Sequence, residues 1–523
     1  MSFFKDFEKQ KTECKQRIKE TFAIVSDFYD QFVFKKSFIL TALLPLTLAY
    51  AFSTLSRTVS IDDLVGGLYT GEGNAMISGY RWFFVVWNRV HGLFNCAPFM
   101  SDFFALIMLA LSAINLCVIL RMLDPKKDVG RWNYIVFFCI FTTFPLINEV
   151  WEYSGTSTAL YGNLVFSTFA LIYMLSAERK MNLLDYLFCG LLLTPSSSSY
   201  EASLVFYVPI VFSVLLLKKY YDKDYKWFTN GILFAITLFI AIFNKFFIGK
   251  ILILIYGVKH VQNGATTINW LSGDLYRVLY EIGKNVRSYI FAYSYFPIGE
   301  FVAALLIFII LIFIARAKSH KGVLLIGFFF VLSLFSLSFL QGSELMYRTA
   351  QTIQYFVAFV SYIFLLSFDH TSAYKVMVVL MLFLSLRQAV FMNNMLQLNN
   401  QRSDNELYIV RSIGYRLYNE FDTEKTVIFC GKYDIGDYID ELKPDEMQSN
   451  INSCINWAVV ANNNQNMMKQ YMSFCGFDIK VTDQFFDRGV RKQYEEIAKK
   501  NGMKPFDIKD MGDYILVYFG EED

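Results

Sequence analysis

Two adjacent aspartates, Asp62 and Asp63, come within seven residues of the end of a long apolar segment, and Arg81 and Arg89 follow soon after. At a membrane exit those residue types point to one chemistry. A carboxylate can take a proton from an attacking hydroxyl as a general base, and a guanidinium can fork onto two phosphate oxygens. Gly66, Gly67, Gly71 and Gly73 lie between the acids and the arginines, and a Gly79-Tyr80-Arg81-Trp82 cluster follows. Trp82 joins the candidates for substrate contact. Phe83, Trp87, Val90 and Phe94 recur at helical spacing, with Arg81, Asn88 and Arg89 on the other face. That spacing predicts an interfacial helix, rings in the headgroup layer and the polar face toward water. Ser60-Ile61-Asp62-Asp63 also fits a helix cap, which accounts for one aspartate and leaves the second.

Other polar residues stand at the ends of apolar runs. Glu149 and Glu152, in PLINEVWEYSG, read either as a solvated loop or as carboxylates facing the first pair. In the second reading they bind substrate hydroxyls or a divalent cation, Mg2+ or Mn2+, through oxygen ligands. Tyr200 and Glu201 follow Thr194-Pro195 and four serines, which either cap a helix end or line a sugar site. Arg348, in QGSELMYR, is a snorkelling arginine, a partner for Glu344 or a phosphate ligand. Arg402 and Asp404 follow the last apolar run, where a polar helix could join the membrane part to the tail.

The elements that must position these residues are set by hydropathy. The chain has 523 residues, 55% of them hydrophobic and clumped into long runs, the composition of a membrane protein. A net charge of +2 gives no nucleic-acid signal. Eleven runs read as spans: 37–56, 99–120, 133–147, 158–175, 183–193, 203–217, 228–247, 296–315, 322–340, 352–367 and 374–392. Lys and Arg concentrate in the connections at 121–131, 178–180, 218–226 and 316–321 and at Lys375, which places those in the cytoplasm. The 57–100 stretch then lies outside, and an odd span count puts the tail outside too. Leu275, Val278, Leu279 and Ile282 predict an interfacial helix in the 248–295 loop.

Three regions result: a charged cytoplasmic arm (1–36), a membrane domain (37–398) and a small extracytoplasmic α/β domain (399–523). In the last, strands are expected at Thr426–Gly431, Trp457–Val460 and Asp513–Phe519, and helices at 402–418, 465–474 and 491–501. Two of Cys430, Cys454 and Cys475 could pair if the tail faces an oxidising space. The eight cysteines make no paired metal spacing.

The order of these stretches resembles the glucosyltransferase II family, bacterial multispanning enzymes named for serotype-converting O-antigen glucosyltransferases. The resemblance rests on Ser60-Ile61-Asp62-Asp63, Gly79-Tyr80-Arg81-Trp82, Ser199-Tyr200-Glu201, Met346-Tyr347-Arg348, the 399–404 stretch and the final turn and strand at 510–519. Glu201 replaces a frequent glutamine, and the N-terminal arm is an extension. The resemblance implies a GT-C membrane glycosyltransferase of the bacterial cytoplasmic membrane. Such an enzyme takes a sugar, here glucosyl, from a polyprenyl-phosphate donor and attaches it to a cell-surface glycan acceptor outside the membrane. Its first outer loop supplies the catalytic carboxylate, here Asp62 or Asp63, in an inverting single displacement. Arg81, Arg89 and Arg348 would clamp the phosphate; Trp82, Glu149, Glu152, Tyr200, Glu201 and Arg402 would contact substrate. Competing readings are a glycan polymerase or ligase acting on polyprenyl-diphosphate-linked chains, a secondary transporter and a structural membrane protein. Charges at the outer ends of spans, and the absence of an internal repeat, weigh against transport.

Overall fold

The computed structural model describes residues 2–56, 58, 74–90, 98–125, 129–151, 153–177, 181–258, 269–272, 274–291, 298–317, 322–343, 349–368, 371–422, 424–433, 453–461, 465–482 and 486–521. Among the described residues the eleven expected spans fall on helices, that at 322–340 on two, Val323–Ser333 and Ser336–Gln341. Seven helices are long and apolar enough to cross a membrane: Lys36–Leu55, Met100–Leu123, Thr156–Ser176, Glu201–Tyr221, Trp227–Tyr256, Gly299–Arg316 and Ala373–Glu420. Arg131–Ile147, Val323–Ser333 and Thr352–Ser367 are apolar but shorter. At the centre, the Arg131–Thr143 helix is buried at every position from Asn133 to Thr143. An all-round apolar surface requires neighbours on all sides. The Lys36–Leu55, Thr352–Ser367 and Ala373–Glu420 helices supply them.

The Trp227–Tyr256 helix is built the opposite way. It buries only Phe234, Thr237, Ala241 and Gly249, a narrow stripe, and exposes Phe239, Phe243, Phe247 and Leu254. Such a helix belongs at the rim, with its apolar face toward lipid. Lys245 falls on the inward stripe, one turn from both Ala241 and Gly249.

The Leu183–Ser199 helix runs six residues past its expected end, through Pro195. The segment expected as a serine-rich outer loop is therefore helical. Ser196 and Ser197 donate to the carbonyls of Asn163 and Ala241 at 3.0 Å, and Ser198 to that of Thr194 at 2.6 Å. The Ser196 and Ser197 hydroxyls thus tie this helix to its neighbours, and that of Ser198 bonds within the helix. At the other end, Asn182 and Asp185 form a capping box. Asp185 is fully buried and is held by Arg17 of the N-terminal helix and by the Tyr173 hydroxyl. The charged arm is thus a helix, Ser2–Phe28, docked on the membrane helices.

The last span and the polar helix after it are one element, Ala373–Glu420, 48 residues long. Its buried stripe passes without a break from Met392 through Met395, Asn399, Arg402 and Glu406 to Val410 and Leu417. The residue 398/399 boundary therefore lies inside a helix. Beyond it, strands β1 (Thr426–Cys430), β2 (Asp507–Asp510) and β3 (Tyr514–Tyr518) form a sheet in the order β1-β3-β2. β1 runs parallel and β2 antiparallel to β3. Alternate residues face two cores: Val427, Phe429, Ile515 and Val517 meet the long helix, while Ile428, Cys430, Leu516 and Tyr518 meet Ala498 of the Arg488–Lys500 helix. Trp457–Val460, expected as a strand, is a helical turn within Trp457–Ala461. A short apolar run fits a buried helix as well as a strand, and Ser453 caps the turn by accepting from the Asn456 amide at 3.0 Å. Cys430, Cys454 and Cys475 are free thiols in this structure.

Candidate active site

The site begins with a turn. The short Asn74–Ser78 helix ends when the Tyr80 amide donates to the Ile77 carbonyl at 3.0 Å and the Arg81 amide to that of Met76 at 2.8 Å. This is the Schellman arrangement, which places a left-handed residue after the helix. Tyr80 takes that position with φ 60°, although Gly79 stands next to it. A side chain there costs about 1–2 kcal/mol. The tyrosine ring offsets this by packing on the Trp227–Tyr256 helix. It lies edge-on to Phe246 at 5.1 Å, and a Cβ on Gly249 would come within 2.6 Å of its Cδ1. Trp82 adds a second pin, its indole N–H donating to the Lys245 carbonyl at 3.2 Å.

Between those two pins, Arg81 is aimed at Glu201. Tyr200 is extended and caps the Glu201–Tyr221 helix, so Glu201 is its first residue. Arg81 Nε and Nη2 donate to Glu201 Oε2 at 3.1 and 2.8 Å. Lys245 Nζ donates to Oε1 at 3.1 Å. The Arg81 guanidinium also lies 6.0 Å from the Tyr200 ring centroid. Side-chain exposures are 23% for Arg81, 23% for Glu201 and 12% for Lys245, so the group is screened but open to solvent. Among the described residues, two cations share one carboxylate. A guanidinium and an ammonium held this way suit a phosphate group.

The structure therefore brings together Arg81, Trp82, Tyr200 and Glu201. Arg89 is exposed in the last turn of the Trp82–Val90 helix and, among the described residues, joins no ion pair. Arg402 is fully buried, 3.9 Å from Glu406, and donates to the Cys454 sulfur at 3.5 Å; Glu406 in turn accepts from the Cys454 amide at 3.0 Å. Its position joins the long helix to the tail. Asp62, Asp63, Glu152 and Arg348 lie outside the described residues, as does the side chain of Glu149. The approach to the aspartates is anchored nonetheless: Thr58 Oγ1 donates to Asn400 Oδ1 at 3.3 Å, and Trp151 Nε1 to Ser53 Oγ at 3.1 Å. Among the described residues no group of three or more His, Cys, Asp or Glu is placed to hold a metal ion.

Asn88 departs from its expected place. It faces the interior, fully buried, rather than water. The opposite face is held by Phe83 and Trp87, which pack against Phe166. Lys245 is the residue that sequence reasoning missed. Its signal was present: one lysine on the inward stripe of an apolar rim helix.

Residues 51–366, more than half of the chain, match the family model described as Glucosyl transferase GtrII. The match takes in the 60–63, 79–82, 199–201 and 346–348 stretches; 399–404 and 510–519 lie beyond it. No curated protein and no solved structure matches the chain.

Proposed function

Because the chain belongs to the GtrII glucosyl transferase family, we propose that it moves a glucosyl group from a polyprenyl-phosphate donor to a cell-surface glycan, with the donor phosphate held by Arg81 and Lys245. The observation that carries this reading is the pair of cations on Glu201, at the start of one apolar helix and on the inward stripe of another. A lipid phosphate lies at that kind of boundary, with its chain in the bilayer and its sugar outside.

In this reading the acceptor hydroxyl attacks the anomeric carbon, and the bond from that carbon to the phosphate oxygen breaks. Asp62 or Asp63 takes the hydroxyl proton, a contribution of about 10²–10⁴ in rate. The polyprenyl phosphate leaves with its charge balanced by Arg81 and Lys245, and that charge stabilisation replaces a general acid. One displacement without a covalent intermediate inverts the anomeric centre. Arg348 is a further phosphate candidate. The membrane is the bacterial cytoplasmic membrane, with the N-terminus in the cytoplasm and the C-terminal domain outside.

The test is transfer by purified protein from a panel of polyprenyl-phosphate sugars, with nucleotide sugars and polyprenyl-diphosphate-linked glycans in parallel. Glucosyl transfer from the lipid monophosphate alone is the expected result. Transfer of whole chains from the diphosphate would make the protein a polymerase or ligase, and direct use of a nucleotide sugar would overturn the donor.

A further inference from the structure

Some buried amides in this bundle are paired: Asn115 Nδ2 donates to Thr168 Oγ1 at 3.1 Å. Asn88 is 0% exposed, yet neither its Nδ2 nor its Oδ1 has a hydrogen-bond partner; among the described residues the side-chain amides of Asn148 and Asn399 are likewise buried and unpaired. Ser199 is also unpaired. Its three predecessors bond to backbone carbonyls, whereas its own buried hydroxyl has no partner. Unpaired buried polar groups are rare and costly, and they mark places where water or a ligand completes the bonding.

Asn88 and Ser199, unlike Asn148 and Asn399, lie on the elements that adjoin Arg81 and Glu201. Asn88 follows Arg81 by seven residues, on the helix that begins directly after it. The rise over seven residues is about 10 Å. That is the scale of a hexosyl phosphate measured from phosphorus to its far hydroxyls. Ser199 ends the helix that packs along Trp82–Val90 and precedes Glu201 by two residues. An amide both donates and accepts, as a sugar hydroxyl does.

We propose that Asn88, with Ser199, binds hydroxyls of the sugar being transferred and so selects the donor's sugar. This rests on the donor reading above, in which Arg81 and Lys245 take the phosphate. A ring lying along the Trp82–Val90 helix would reach Asn88 while its phosphate stays at Arg81. A buried site that hydrogen-bonds a hydroxyl rejects analogues lacking it far more strongly than an apolar pocket does.

The experiment is equilibrium binding of short-chain polyprenyl-phosphate glucose and of the same polyprenyl phosphate without sugar. Wild type, Asn88→Leu, Asn88→Ala and Ser199→Ala are compared, with thermal midpoints recorded. Wild type is expected to prefer the glucosylated lipid by about tenfold or more. Asn88→Leu is expected to bind both lipids alike while melting no lower than wild type, since an apolar near-isostere removes the unpaired amide. Asn88→Ala gives the same comparison from a smaller side chain. If the Asn88 variants keep the wild-type preference, the sugar role is overturned and the donor reading stands. If wild type binds neither lipid, the donor reading itself falls, and the role of Asn88 falls with it.

Discussion

Arg81 donates two hydrogen bonds to one carboxylate oxygen of Glu201, at 3.1 and 2.8 Å, while the other oxygen accepts from Lys245 at 3.1 Å and from Arg81 Nε at 3.3 Å. Arg81 and Glu201 are 120 positions apart, and the contact joins the turn after the Asn74–Ser78 helix to the start of the Glu201–Tyr221 helix. Glu201 therefore holds both cations in place and also competes with any phosphate that approaches them. The competition decides the sign of the first prediction. Glu201→Gln retains a hydrogen-bonding side chain and removes the charge, so polyprenyl phosphate should bind more tightly. The expected gain is about 1 kcal/mol, about fivefold, the scale of one partly exposed ion pair. Glu201→Ala should lower stability by about 2 kcal/mol, less than a fully buried pair because part of the group reaches solvent. Titration with polyprenyl phosphate decides the matter. Weaker binding by Glu201→Gln would mean that ordering Arg81 outweighs competition.

A glycine on the rim helix provides a second test. Gly→Ala within a helix ordinarily stabilises by about 0.5–1 kcal/mol. At Gly249 the new Cβ would sit 2.6 Å from Tyr80 Cδ1 and 3.3 Å from Trp82 Cδ1. The left-handed turn at Tyr80 would lift off the helix and take Arg81 with it. Gly249→Ala is expected to cut transfer by about tenfold or more, in line with the cost of misplacing a positioned group. Gly257, with no neighbour within 4 Å of its would-be Cβ, has φ +63 and is a poor control; Gly283, within a helix and equally open, serves. Equal activity of Gly249→Ala and Gly283→Ala would remove the turn from the mechanism.

Much of the fold was legible because membrane helices announce themselves by length and hydropathy. The runs at 99–120 and 203–217 became helices with ends shifted by only a few residues. The strands at Thr426 and Tyr514 were legible as apolar, β-branched segments bounded by Gly431 and by Asp513. What escaped was tertiary. Nothing local tells that Lys245 and Glu201 meet, or that a tyrosine takes a left-handed position beside an available glycine, because the compensating contact comes from a distant helix. Asn88 was assigned to water by its polarity, whereas the packing of Phe83 and Trp87 on Phe166 turned it inward. The unbroken helix through Asn399 was obscured by its Asn- and Gln-rich stretch, which locally resembles a linker.

The tail carries a pH prediction. Burial, reinforced by Glu495, pushes the Cys430 thiol up to about 12. The folded state therefore holds its proton where an unfolded chain begins to lose it, near pH 8.5. Its stabilising contribution is complete below that pH and is lost as pH rises toward 12. Cys430 should resist iodoacetamide at pH 8.5 in the folded protein and react on unfolding, while half-buried Cys475 is labelled first. Rapid labelling of Cys430 in folded protein would contradict the burial of β1.

The base is the last prediction, and it turns on two residues whose approach is fixed. The Lys36–Leu55 helix ends with Ser53 bonded to Trp151, and Thr58 is tied to Asn400, which itself donates to Asp404 at 3.1 Å. Thr58, four residues before Asp62, is thus tied to the long C-terminal helix. One of the pair can cap a helix while the other meets the acceptor hydroxyl, so their variants should differ in kind. Asp→Asn at the base should lower transfer by about 10²–10⁴ with binding of polyprenyl phosphate retained, since a general base acts on the acceptor hydroxyl and not on the donor phosphate. Asp→Asn at the cap should chiefly reduce stability, by at most about 1 kcal/mol, because asparagine also caps. Initial rates for Asp62→Asn and Asp63→Asn, at matched protein levels and saturating donor, separate the two; Asp62 is the expected base. If both variants keep more than about a tenth of the wild-type rate, the pair does not supply the base, because the lower bound of general-base catalysis exceeds that loss. Glu149 and Glu152, beside Trp151, would then be the carboxylates to change.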